Sequence, residues 1–249
     1  MGGGGIMSAI ARMPAILVGW GLWVWGESSK FAENFFCDMS KTIRNLLFDL
    51  GGVIMDIERE RCVEALTALG MEGANEMLGL YVQSGPFLKL EEGEMTPHEF
   101  CDEVRSRIPG GGGDVTDEQV QAALNAFLIG IPEHRLVELR MLRKDFGIYL
   151  LSNTNPIMYY SKIAECFRAE GREMSDYFDG RVTSFESHLA KPSREIFEYA
   201  IEHLGIKPEE TLFIDDSQKN LDSAAEVGFE TALVVPGSEF IDAIGEWMG

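Results

Sequence analysis

Positive charge is scarce in this chain. Its 249 residues hold 21 lysines and arginines against 41 aspartates and glutamates, a formal net charge of −20. No long basic run relieves that balance, which argues against nucleic acid or an anionic membrane as partner. An anionic substrate would need local positive charge from a metal ion, a lysine or helix N-termini. Cysteine is scarce too. Cys37, Cys62, Cys101 and Cys166 are scattered, with no C-x-x-C pair and no zinc spacing. They read as reduced thiols of a cytoplasmic protein. His98, His134, His188 and His203 show no metal spacing either. His98, His134 and His203 read as helix-surface residues, and His188, near Lys191 in sequence, is a candidate to approach the site. No internal repeat is visible. Hydrophobic content of 45% and charged content of 25% are ordinary for a globular protein. The length suits one large domain, or a core domain carrying an inserted one.

A clean membrane span is also missing. Met13 to Trp25 is strongly apolar but short, and extending it back to Ile6 takes in Arg12. Two readings stand. One is a signal peptide or anchor with Arg12 in its charged region, although Gly26-Glu27-Ser28-Ser29 lacks a clear cleavage pattern. The other is translation from Met39, with residues 1–40 outside the folded core. Trp20, Trp23 and Trp25 then lie outside the core, the rival for them being a membrane belt.

From residue 43 onward, strand and helix patterns alternate. Ile43–Leu50, Ile148–Leu151, Arg181–Ser184, Leu212–Asp215 and Thr231–Val235 read as buried strands. Between them lie helices over Glu58–Leu69 with Gly70 as stop, from Pro132 to Gly147, over about 156–170, and from a Ser193 cap to Leu204 with Gly205 as stop. This order predicts an α/β fold with a doubly wound, Rossmann-like parallel sheet. Residues 58–131 break the alternation, with helical segments and no clear buried strand. Thr96-Pro97-His98-Glu99 and Thr116-Asp117-Glu118-Gln119 are capping boxes there. The expected organisation is a core of 41–57 and 132–249 with a helical cap, 58–131, covering the sheet's carboxyl end.

Two strands end in carboxylates. Leu46-Leu47-Phe48 runs into Asp49, and Leu212-Phe213-Ile214 into Asp215-Asp216. Ligands of open parallel sheets bind beyond the carboxyl ends of the strands. Were these two strands neighbours, Asp49, Asp215 and Asp216 would converge, and three close carboxylates call for a hard cation such as Mg²⁺.

Four elements, in order, carry a resemblance: Phe48-Asp49-Leu50-Gly51-Gly52-Val53, Leu150-Leu151-Ser152-Asn153-Thr154-Asn155, Lys191-Pro192, and Ile214-Asp215-Asp216-Ser217 followed by Asn220. Over residues 43 to 236 the chain resembles the haloacid dehalogenase superfamily, mostly Mg²⁺-dependent phosphatases. Its wording looks most like the subgroup of sugar-phosphate phosphatases that includes the bacterial α-D-glucose-1-phosphatase. The resemblance implies Asp49 as nucleophile, forming an aspartyl-phosphate that water hydrolyses. It implies Mg²⁺ held by Asp49, the Gly51 carbonyl, Asp216 and, directly or through water, Asp215. Ser152 and the Asn153 amide would donate to phosphoryl oxygens, and Lys191 would supply fixed positive charge.

Gly51 departs from the pattern. Family phosphatases usually carry a second aspartate two residues after the nucleophile, as general acid and base. Asp56, a cap carboxylate such as Glu91 or Glu92, a water, or the substrate itself could replace it. The leading expectation is a phosphatase of a small phosphorylated metabolite, with a sugar phosphate as one such substrate. The rivals are a 2-haloacid dehalogenase-type hydrolase, which needs no metal, and a catalytically silent phosphate-binding regulatory module. Specificity is expected from the cap, with Phe87 to Gly93 facing the site.

Overall fold

The computed structural model describes residues 43–78 and 85–248. The expected leader of residues 1–40, with its tryptophans, Met39 and Cys37, lies outside the described residues. Among those residues the strands are β1 (Asn45–Phe48), β2 (Asp56–Ile57), β3 (Leu128–Gly130), β4 (Gly147–Ser152), β5 (Gly180–Thr183), β6 (Thr211–Asp215) and β7 (Glu230–Leu233). Five of them form a parallel sheet in the order β5-β4-β1-β6-β7. β1 is central, as its unbroken apolar run requires for a strand covered on both faces.

The alternation of side chains along each strand splits the core in two. Leu46, Phe48, Leu150, Leu212 and Ile214 face one layer, where Phe48 meets Phe240 of the C-terminal helix edge-on at 5.2 Å. Leu47, Leu151 and Phe213 face the other, where Phe197 of the helix Arg194–Leu204 meets Phe213 at 5.5 Å. Each fully buried leucine or phenylalanine contributes about 1.5–3 kcal/mol relative to exposure, so this sandwich fixes β1 and β6 side by side. Phe48 pairs with Ile214, which brings the next residues, Asp49 and Asp215, to the same edge.

Between β2 and β3 the chain forms helices Arg59–Ala68, Ala74–Met77, Gly85–Glu91, Pro97–Ser106 and Asp117–Asn125. Both expected capping boxes form, at Thr96 with Glu99 and at Thr116 with Gln119. This helical insert also holds a strand that the sequence reading lacked. β3 pairs antiparallel with β2, and Glu58 N–H donates to the Phe127 carbonyl at 2.8 Å beside the ribbon. The insert touches the core at Gly93. Its φ is +68°, and a Cβ there would lie 2.3 Å from the Phe185 carbonyl oxygen. Next to it, His188 Nδ1 donates to the Glu92 carbonyl at 2.8 Å.

Two expectations about helix ends need correction. Ser193 holds the N-cap position of Arg194–Leu204, but its hydroxyl caps nothing and is buried without a partner. The helix opened by Pro132 ends at Leu142 rather than running to Gly147. Gly147 opens β4 instead, its N–H donating to the Arg44 carbonyl at 2.9 Å, and a Cβ there would sit 2.7 Å from Asn45 Oδ1 on the neighbouring strand. No helix of the described residues is long and apolar enough to cross a membrane.

Candidate active site

The strand ends meet as their pairing requires. Asp49 N–H continues the ladder by donating to the Ile214 carbonyl at 2.9 Å. One carboxylate oxygen each of Asp49, Asp215 and Asp216 lies within 4.8 Å of the others. Lys191 reaches between two of them. Its Nζ is 2.7 Å from Asp49 Oδ1 and 2.8 Å from Asp215 Oδ2, and its side chain is buried. The segment carrying it, with a cis Lys191–Pro192 peptide, is tied to the end of β4. Asn153 Nδ2 donates to the Lys191 carbonyl, and Lys191 N–H donates to Asn153 Oδ1, both at 2.9 Å.

Asp49, Gly51, Ser152, Asn153, Lys191 and Asp216 line a cavity of about 600 Å³. Its opposite wall comes from the insert, with Phe87, Leu88, Glu91 and Glu92. A smaller hollow of about 390 Å³ beside β5, lined by Arg181, Tyr199 and His203, shares no residue with it.

Four residues singled out in the sequence sit differently from a simple ring around the site. Asp215 is fully buried and does not line the cavity. Beyond Lys191 it accepts from Ser217 N–H at 2.7 Å and from Asn220 Nδ2 at 3.0 and 3.1 Å. The Asn153 side chain is spent on the Lys191 backbone, so a phosphate contact from this residue falls to its main-chain N–H. Asp56 is bound to Arg135 Nη1 at 2.7 Å and stands outside the cavity lining. His188 does not line the cavity; its ring donates to the Glu92 carbonyl of the insert. The sequence reading also missed Ser184, which pins the loop after β4: its Oγ accepts from Thr154 N–H at 3.0 Å and donates to the Thr154 carbonyl at 2.9 Å.

The charges are unbalanced in a way that suits a cation. Burial pushes the Asp49 carboxyl up to about 7; the Lys191 ammonium pulls it back, and Asp215 and Asp216 push it up again. Burial and then Asp215 likewise raise Asp216. One lysine does not offset three carboxylates, and an all-oxygen donor set matches a hard ion such as Mg²⁺. The turn after Asp49 is fitted to this cluster. Gly52 has φ +79°, and a Cβ on it would fall 2.2 Å from Asp216 Oδ2. Gly52→Ala is therefore expected to displace Asp216 and weaken divalent-ion affinity at least about tenfold, the equivalent of 1.4 kcal/mol, read by titrating the ion against tryptophan or tyrosine fluorescence.

A doubly wound parallel sheet with carboxylates and a lysine gathered beyond its carboxyl edge defines an enzyme of the Rossmann-like α/β class. A model of the haloacid dehalogenase-like hydrolase family matches residues 43–228, and the chain belongs to that family. It is 37% identical over 189 residues to a D-ribitol-5-phosphate phosphatase of Bacteroides thetaiotaomicron, covering 76% of this chain and 90% of that protein. A crystal structure of a family enzyme from the same organism, in complex with magnesium and inorganic phosphate, is 41% identical. It aligns with a TM-score of 0.73 over 79% of this chain and 96% of that one. A predicted family hydrolase of Porphyromonas gingivalis is 37% identical, with a TM-score of 0.75 over 83% and 98% of the two chains. An L-2-haloacid dehalogenase of Xanthobacter autotrophicus, 17% identical with a TM-score of 0.55 over 82% of each chain, shares the fold.

Proposed function

We propose that the protein is a Mg²⁺-dependent phosphoric monoester hydrolase acting on a small sugar or sugar-alcohol phosphate. The observation that carries this reading is Lys191, held by Asp49 and Asp215 at 2.7 and 2.8 Å on the wall of the cavity that Asp216 and Ser152 share. A likeness to a ribitol-5-phosphate phosphatase supports the substrate class.

Asp49 is the nucleophile. Its carboxylate attacks phosphorus, the bond to the leaving oxygen breaks, and water then hydrolyses the aspartyl-phosphate. Lys191 keeps the attacking carboxylate oriented and lays positive charge beside the transferring group. The Ser152 hydroxyl and the Asn153 main-chain N–H donate to phosphoryl oxygens. Asp215 acts largely through Lys191 and Asn220, whose positions it fixes. Asp49, Asp216 and the Gly51 carbonyl, with Asp215 directly or through water, would hold Mg²⁺, which when bound offsets the charge of phosphate and nucleophile. The insert, residues 58–131, is the cap that closes over the substrate and selects its carbon skeleton.

The test is a panel of phosphorylated sugars and polyols, with phosphate release as readout. Turnover is expected with Mg²⁺, is expected to cease with EDTA, and to return when Mg²⁺ is restored in excess. Undiminished rates in EDTA would reject the metal-dependent reading.

A further inference from the structure

We propose that Glu91 of the insert is the general acid that protonates the leaving oxygen, and then the base that activates water, in the place left empty by Gly51. The assignment rests on the phosphatase reading above. Three observations support it.

The first is that the position two residues after Asp49 offers no acid: glycine stands there, on the cavity wall. Asp56, the nearest acid along the chain, is committed to Arg135. The second is the placement of Glu91. It ends the helix Gly85–Glu91 and lines the same cavity as Asp49. The next residue is anchored to the core through the Glu92 carbonyl and His188, three positions before Lys191. In an in-line displacement the leaving oxygen stands on the far side of phosphorus from the nucleophile. Asp49 rises from the sheet, so the leaving oxygen points toward the insert wall, where Glu91 stands.

The third is protonation. Glu91 is buried, and among the described residues no hydrogen bond or ion pair reaches its carboxyl. A buried carboxylate without a partner is costly, so the group rests as the neutral acid. Burial, then the nearby charges of Glu92 and Asp49, push it up to about 8, and among the described residues no cation acts against them. Glu92 lines the cavity as well but is only half-buried. The proton balance closes. As the Asp49–phosphorus bond forms and the phosphorus–oxygen bond breaks, the Glu91 proton passes to the departing alkoxide. The Glu91 carboxylate then takes a proton from the water that attacks the aspartyl-phosphate, and the acid is restored with phosphate released.

Glu91→Gln tests this with two substrates. An alkyl phosphate such as glycerol phosphate has a basic leaving group that needs the proton, and kcat/KM should fall by about 10²–10⁴. The nitrophenolate of 4-nitrophenyl phosphate leaves without help, so there the loss should stay below about tenfold. Equal losses on both substrates would overturn the assignment while leaving the phosphatase reading intact. A wild type that turns over neither would overturn that reading itself, and the assignment with it. Should the variant not fold, the wild type decides alone. Its kcat/KM should vary little across phosphates of rising leaving-group basicity, and a steep decline overturns the proposal. The neutral acid also has a signature outside catalysis. Its folded value lies above the ordinary glutamate value of about 4.3, so its contribution to stability is complete below that pH and is lost as pH rises through about 8. In metal-free protein, the Tm of Glu91→Gln minus that of wild type should grow between about pH 5 and 9; a flat difference contradicts a protonated Glu91.

Discussion

Asp49→Asn should lower kcat by about 10⁴–10⁶, the scale of loss when a covalent nucleophile is removed, while the protein keeps its fold. The amide matches the carboxylate in size but cannot form the aspartyl-phosphate. The structure gives no reason for collapse. Lys191 loses its ion pair with Asp49 at 2.7 Å, though the asparagine Oδ1 can still accept from it, and keeps Asp215 at 2.8 Å. The cluster goes from three carboxylates around one ammonium to two. Burial and the neighbouring acids make the Asp49 charge unfavourable without a metal ion, which is why its carboxyl is raised to about 7. The metal-free variant should then melt no lower than wild type above about pH 7, where the wild-type group must ionise. Rates with Mg²⁺, and mass spectrometry of acid-quenched protein for the phosphorylated aspartate, check the two halves. Activity equal to wild type would remove Asp49 from the mechanism.

Much of this was legible in the sequence, because strand cores announce themselves. Leu46-Leu47-Phe48 and Leu212-Phe213-Ile214 are apolar without interruption, and only a covered parallel strand accommodates that. Their pairing then placed Asp49 beside Asp215 with no further information. The ribbon of β2 and β3 was not legible. Two and three residues are too few for an alternating pattern, and the strands exist because Phe127 and Glu58 meet across the insert's base. Hydrogen-bond partners were hidden as well. Residue types placed Ser193 as a cap, yet its hydroxyl finds no donor or acceptor. Asn153 was legible as a site residue, but not that its side chain would clamp the Lys191 backbone. Glu91 and Glu92 are equivalent as sequence. Only the packing of the insert against the core buries Glu91 and leaves Glu92 half-open, and only the buried one is proposed as the acid.

Lys191→Met is the other large expected effect, and it acts on stability as much as on rate. Burial alone would push the Lys191 ammonium down, yet Asp215 and Asp49 outweigh it and raise it. The ammonium is thus the cation on which two buried carboxylates depend. Methionine fills a similar volume and packs against Phe213, over whose ring the ammonium lies 5.4 Å from the centroid, but it supplies no charge. Asp215, with no exposure to water, is left with only neutral donors from Ser217 and Asn220. Removing one member of a buried ion pair costs about 3–5 kcal/mol, which for a protein of this size is a fall in Tm of about 6–20 °C. Turnover should fall by about 10²–10³, the loss typical of one preorganised charge or donor. The double variant Lys191→Met/Asp215→Asn separates the two effects. Removing the stranded charge should restore a large part of the lost stability, since replacing both members of a buried pair is far milder than removing one. It should not restore turnover, because the positive charge beside the transferring phosphoryl group is still missing. A single variant as stable as wild type would mean that Asp215 does not rely on Lys191 for its charge. A double variant that regained activity would mean that the lysine only keeps the fold together.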